Sequence, residues 1–177
     1  MFRCVSLACL LLSVACAVPQ PPAAAGPVAD DLAGFVGDYE GLLRIAGAPA
    51  ERAVPMRLLV EPLPEGPGRY RWLLHYAGQS ERDYRLLVDD AATGACRIDE
   101  RNGIELAARY HAGELVAVFE VSGQTLVTRY RRVAAGVELA LEAFARADGV
   151  ATGHGVTTLP KVALQRALLV PRQVPGR

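Results

Sequence analysis

Lysine is almost missing from this chain. Lys161 is the only one in 177 residues, and arginines supply the rest of the basic charge. Acidic and basic residues balance to a net charge of zero. Nucleic acids and anionic membrane surfaces select a basic excess or a basic cluster. The one local basic run, Arg129, Arg131 and Arg132, reads as a solvated strand face, so a nucleic-acid partner is not expected.

Serine and histidine are scarce as well. Beyond residue 16 only Ser80 and Ser122 remain, and neither lies in a G-x-S-x-G elbow, so nucleophilic hydrolysis is not expected. His75, His111 and His154 share no metal-ligand spacing, and H-E-x-x-H does not occur. The carboxylate pairs Asp89-Asp90 and Asp99-Glu100 are sequential. On a strand such neighbours point to opposite faces, and both pairs abut turns. No catalytic set, no metal site and no cofactor is expected, and the chain reads as a non-enzyme.

Cysteine adds a further exclusion. Cys4, Cys9, Cys16 and Cys96 are the only four, and the first two fall in a segment that leaves on export. No disulfide framework can form from what is left. Cys96 alternates with Ile98 and reads as a small buried hydrophobe.

No apolar run reaches the roughly 20 residues needed for a membrane-spanning helix. What is present at the N-terminus is shorter. Arg3 precedes the apolar run Cys4 to Ala15, and small residues follow. A basic start, a short apolar core and small residues at a cut site form an export signal. Cleavage after Ala17 is one outcome. The other is favoured: Ser13-Val14-Ala15-Cys16 resembles the bacterial lipobox, which implies lipidation of Cys16 and anchorage to a membrane of the cell envelope. Residues 17–32 hold Pro19, Pro21, Pro22 and Pro27 among alanines and read as a semi-extended tether. The expected layout is a signal peptide over 1–16, the tether over 17–32, a β-domain over 33–169 and a flexible tail over 170–177.

The body alternates apolar and polar residues with period two. Tyr39, Gly41, Leu43 and Ile45 do so first, then Val54 to Val60, Tyr70 to Tyr76, and Tyr84 to Val88. Cys96 to Ile98, Ile104 to Tyr110, Leu115 to Val121, Leu126 to Tyr130 and Val137 to Leu141 follow. This is the period of half-buried strands. Asp30 to Phe35 predicts one helical turn before the first strand. Asn102-Gly103 predicts a type I′ hairpin turn, because both central positions need positive φ. Helix propensity competes over Val137 to Ala147. The bounding Gly136 and Gly149 favour a strand there. Over Leu159 to Leu169, strand and helix both remain open, with Val162, Leu164 and Leu168 as the alternating apolar set. The expectation is an all-β, antiparallel up-and-down barrel of eight to ten strands, since a meander removes its edges by closing.

Gly34-Phe35-Val36-Gly37-Asp38-Tyr39-Glu40-Gly41 resembles the Gly-aromatic opening of the first strand in lipocalin-like, or calycin, barrels. Tyr39 stands where that family carries Trp. The resemblance implies an interior able to hold a small hydrophobic molecule. Some barrels of this kind bind haem through a single His, but His154 between two glycines reads as an exposed loop residue.

Tyr39, Met56, Tyr70, Trp72, Tyr76, Tyr84, Tyr110, Phe119 and Tyr130 share the apolar registers and form a candidate ligand lining. Arg132, in register with Tyr130, is the candidate partner for a ligand carboxylate. Two readings stay open: a hollow carrier of a small hydrophobic molecule, or a filled barrel serving as a structural or assembly lipoprotein that engages an unspecified protein partner.

Overall fold

The computed structural model describes residues 28–46 and 51–173. Cys16, the export signal and most of the expected tether lie outside the described residues. The chain begins with α1 (Val28–Ala33) and continues as β1 (Gly37–Ala46), β2 (Arg52–Pro62), β3 (Arg69–Tyr76), β4 (Arg82–Asp90), β5 (Ala95–Asp99) and β6 (Glu105–His111). β7 (Glu114–Val121), β8 (Gln124–Val133) and β9 (Gly136–Ala145) complete the meander. β10 (Val150–Gly153) and β11 (Val156–Thr158) pair only with each other, and β12 (Lys161–Pro171) follows. Ten strands close one antiparallel barrel in the order β1-β12-β9-β8-β7-β6-β5-β4-β3-β2. The expected architecture is what forms, and β12 is the strand that closes it.

The inward side follows the period-two reading on nine strands. Leu43, Leu58, Val60, Tyr70, Leu74, Leu86, Ile98, Leu115, Val137 and Leu139 are all buried. β12 departs from it. Ala167 and Leu169 face inward while Leu168 is 47% exposed, so the expected set of Val162, Leu164 and Leu168 is shifted by one residue. The reason is register. Leu169 pairs with Gly41 and Val137, which are inward positions, and a bulge between Lys161 and Ala163 absorbs the offset. A one-residue slip moves every side chain to the other face.

Turn chemistry also differs in one place. The positive φ angles near Asn102 sit at Arg101 (58°) and Gly103 (93°), so no two-residue type I′ turn forms there. Asp99 accepts the Arg101 backbone N–H at 2.7 Å, and Asn102 accepts that of Ile104 at 3.0 Å. Those side-chain bonds build a longer loop in its place. The consecutive positive φ angles of type I′ turns occur instead at Ala112-Gly113, Ser122-Gly123 and His154-Gly155. His154 is an exposed residue at the tip of the β10–β11 hairpin.

Outward positions carry cross-strand ion pairs. Asp38 accepts both Arg57 Nε (2.7 Å) and Nη2 (2.9 Å). Asp83 accepts Arg71 and Arg101, each at 2.8 Å. Glu142 meets Arg129 at 2.6 Å and also Lys161. Exposed apolar side chains, Leu42 and Val118 among them, share the outer face with these pairs.

The Arg57 hydrogen bonds hold the Asp38 carboxyl below its usual range, and those of Arg71 do the same for Asp83. A depressed folded-state pKa gives stability that is present above the unfolded carboxylate value and is lost as pH falls through the folded one. The melting temperature is therefore expected to hold near neutrality and to decline below about pH 4. The double variant Asp38→Asn, Asp83→Asn should show a flatter acid limb. Equal acid limbs in the two proteins would remove these pairs from the account.

Candidate functional site

The two mouths of the barrel are built differently. At one end α1 lies across the opening. Val28 and Leu32 on its inner side are buried, and Phe35, just beyond its end, is fully buried. The residues expected to form a helical turn do so, and the packed region starts at Val28, inside the segment expected to be tether. The turn closes with N–H bonds from Gly34 to Asp31 (3.1 Å), Phe35 to Leu32 (2.9 Å) and Val36 to Ala33 (3.1 Å). These aim the Phe35 ring into the barrel. It meets Trp72 at 5.6 Å between centroids and Tyr110 edge-on at 6.5 Å. Phe35 fills this half of the interior as a plug.

Arg132 stands at the plugged end. It is exposed, and a Cβ placed on Gly34 would lie 1.9 Å from its guanidinium nitrogen, so the guanidinium rests directly on the Gly34 backbone. A cation at the end of a helix meets the partial negative charge of its last carbonyls. Tyr39 belongs to the same end, where its hydroxyl donates to the Val36 carbonyl at 3.4 Å. Tyr70 and Tyr110 also feel the α1 acidic residues: their hydroxyls are raised first by burial and then by Asp30 and Asp31 respectively.

Among the described residues the opposite mouth carries no helix, and the β10–β11 hairpin links β9 to β12 at this end. Tyr76, Tyr84 and Phe119 are half-buried there and pack against the core from the open side. Met56, paired with Tyr76 across β2 and β3, is buried beside them. Behind them stand Trp72 and Tyr130, both buried, with rings edge-to-face at 5.0 Å. Trp72 thus touches the plug on one side and Tyr130 on the other, and marks the floor of the open half.

The polar groups of this half act on one another electrostatically. Burial pushes the Tyr130 hydroxyl far up, and Tyr76, Trp72, Tyr84 and Arg82 all act on it. Burial also raises Tyr76 and Tyr84, with Arg82 opposing the shift in both. All three phenols are therefore protonated at neutral pH and able to donate. The Trp72 indole N–H interacts electrostatically with the Tyr130 hydroxyl, but this buried donor has no partner at hydrogen-bond geometry.

Arg82 is the residue that the sequence reading missed. Its guanidinium lies 5.2 Å over the Tyr76 ring. It pairs with Leu74 two positions before Tyr84 pairs with Trp72, which places it on the inward register at the rim. That two-residue step before Tyr84 was the available signal.

Of the candidate lining, Trp72, Tyr84, Phe119, Tyr130 and Met56 belong to the open half, while Tyr39, Tyr110 and Arg132 serve the plugged end. Cys96 is 3% exposed with its thiol 3.4 Å from the Gly94 carbonyl, and burial pushes it up to about 11. It is an inert core residue. Asp90 accepts the Ala92 N–H and the Thr93 hydroxyl, both at 2.8 Å, as expected of turn polarity. Clefts of about 400–610 Å³ open on the outer wall among the described residues.

No protein-family model matches this chain, and no curated protein matches it either.

Proposed function

We propose that this is an exported, lipocalin-like binding protein that takes a small hydrophobic molecule into the open half of its barrel. The observation that carries the reading is the buried Trp72 N–H, left without a well-formed hydrogen bond at the floor of a half-open aromatic mouth. A buried donor without a partner costs about 1–3 kcal/mol, and such groups in native proteins call for an explanation. A guest with an acceptor atom at that depth relieves the cost. The aromatic rings of Tyr76, Tyr84 and Phe119 supply the apolar walls that ligand sites use, with few polar groups to orient the guest. The role is binding and not catalysis.

The export signal and the tether support delivery to the cell envelope, and the lipobox resemblance supports anchorage through a lipid on Cys16. Under this reading Cys16→Ser should move the protein from the membrane fraction to the soluble fraction, with the mass of an unmodified chain. Unchanged fractionation and mass would discard the anchor.

A second reading has its own observation. Ala107, Val116 and Val118 line the 610 Å³ cleft on the outer wall, and Val118 is 58% exposed. An apolar cleft there suits a filled barrel that engages a protein partner. Native mass spectrometry of full-length protein extracted from the envelope separates the two. Ligand binding predicts a single added mass of a small molecule that organic solvent removes. A bare chain, or one associated only with another polypeptide, would support the second reading.

A further inference from the structure

Resting on the reading of an anchored binding protein, we infer that the β10–β11 hairpin is a bilayer contact that seats the open mouth on the membrane surface. The hairpin stands off the barrel, and every residue from 150 to 161 is exposed. Its base is fixed, because the Ala145 N–H donates to the Pro160 carbonyl at 3.0 Å. Val150 is 61% exposed, Val156 56% and Leu159 38%. Residues 149–160 hold no Asp, Glu, Lys or Arg, in a chain where these make up 21%; His154 at the tip is their one titratable group. Free edge strands are ordinarily guarded by charge, and this hairpin has none on its strands. Its hydroxyls are turned inward. Thr152 donates to the Val156 carbonyl and Thr158 to that of Val150, each at 3.2 Å. Polar groups satisfied in this way cost less to take out of water. An exposed apolar projection of this kind marks a protein or membrane contact.

Reach and charge select the bilayer as the occupant. Val28 sits at the plugged mouth, so an anchor on Cys16 must pass the whole barrel wall if the open mouth faces the membrane. Eleven residues separate Cys16 from Val28. At about 3.1 Å per residue they reach roughly 34 Å. A ten-residue strand such as β1, at about 3.3 Å per residue and a tilt of about 40°, makes a wall of roughly 25 Å. The tether is long enough. Among the described residues the plugged end has no projecting uncharged segment of this length, and α1 exposes Asp30 and Asp31 there. At the hairpin base stand Asp148 and the pairs Arg146–Glu120 and Lys161–Glu142, which mark where the headgroup layer begins. The other turns of the open mouth carry Arg52, Arg82 and Arg101 with Glu51, Glu81 and Glu100, three charges of each sign. That balance suits zwitterionic headgroups and needs no anionic lipid. Val150, Val156 and Leu159 then enter the apolar edge of the leaflet. The free backbone edges stay hydrated among the headgroups, which makes this a surface contact and not a span. A guest passes from the lipid to Tyr76, Tyr84 and Phe119 without crossing bulk water.

The test uses the exported Cys16→Ser chain, its mass showing neither signal nor lipid, and vesicles of phosphatidylcholine alone. The chain should float with the vesicles at millimolar lipid, equally at low and high salt. Val150→Asp combined with Val156→Asp should cut the bound fraction about tenfold or more, since each valine gives up its apolar burial. Val118→Asp, on the outer wall, should change nothing. Hydrogen exchange should slow over residues 149–160 when vesicles are added and stay unchanged in the β8–β9 turn at the plugged end. Flotation unmoved by the paired Asp substitutions would overturn the inference. So would binding that requires anionic lipid and vanishes in salt, or no binding at all. A dimer of the vesicle-free chain, abolished by the same substitutions, would also overturn it and assign the hairpin to a second copy. Trp72 quenching in solution and fractionation of the lipidated chain test the guest and the anchor separately, so either stands when this contact fails. Matching melting curves for the variants ensure that a loss is read as a binding effect.

Discussion

Phe35→Ala should destabilise the protein by about 3–5 kcal/mol, the range for removing a large aromatic side chain from a packed core. Phe35 is fully buried and stands between Trp72 and Tyr110, so its removal leaves a void in the plugged half. The effect should be at the high end of single substitutions, because α1 is a six-residue element. Helices that short are held by packing and not by their own propensity. With the ring gone, Val28 and Leu32 are the inward side chains left to hold α1 in the mouth. Urea denaturation would measure the loss. Trp72 emission should also move to longer wavelength as water reaches the indole from the plugged side. A loss under about 1 kcal/mol with unchanged emission would mean that Phe35 does not seal the barrel.

Gly136→Ala should be nearly as damaging. A Cβ at this position would lie 2.1 Å from the Leu169 carbonyl oxygen, and φ is +145°, a conformation that L-residues rarely adopt. Forced contact in a packed region costs about 1–3 kcal/mol, and a strained dihedral adds about 1–3 more. Gly41 presses on the same stretch from the other side. Its Cβ would meet the Leu168 carbonyl oxygen at 2.3 Å. The two glycines flank β12, from β9 and from β1, and let the closing strand approach both neighbours. Gly41→Ala should therefore also destabilise, through contact alone. Gly123→Ala is the control, because nothing lies within 4 Å of its Cβ. Its cost should come from its positive φ only. If Gly136→Ala and Gly123→Ala melt together, the seam does not depend on close approach.

The sequence carried the barrel because period-two alternation and short turns are local signals, and nine strands obey them. The strand β9 was legible against its own helix propensity because its glycine bounds and hairpin-linked neighbours outweighed it. What was not legible depended on distant partners. The side that β12 presents is set by Gly41 and Val137, more than thirty residues from Leu169 along the chain in the nearer case, and by a bulge that no local pattern announces. The Asn102-Gly103 turn was misread because Asp99 and Asn102 side chains offer the backbone another set of bonds. The plug was half visible. The helical turn could be read from Asp30 to Phe35, but its insertion between Trp72 and Tyr110 could not. The candidate lining was read as a single layer of inward aromatics. Inward direction says nothing of depth along the barrel axis, so residues of the plugged and open ends were grouped together. Arg132 and Arg82 both hold inward registers. Only their opposite ends of the barrel distinguish a cation resting on a helix terminus from one standing over an open aromatic mouth.

The central claim is that a hydrophobic guest reaches Trp72 from the open mouth. Bromine quenches indole fluorescence only at close range, and this chain has one tryptophan. Titration of a bromine-labelled fatty acid against Trp72 emission is therefore the most direct measurement. The account predicts saturable quenching at one acid per barrel, retained in Arg132→Gln at the plugged end. Emission that stays constant, or that falls without saturation as the probe is raised, would contradict it and mark the barrel as filled.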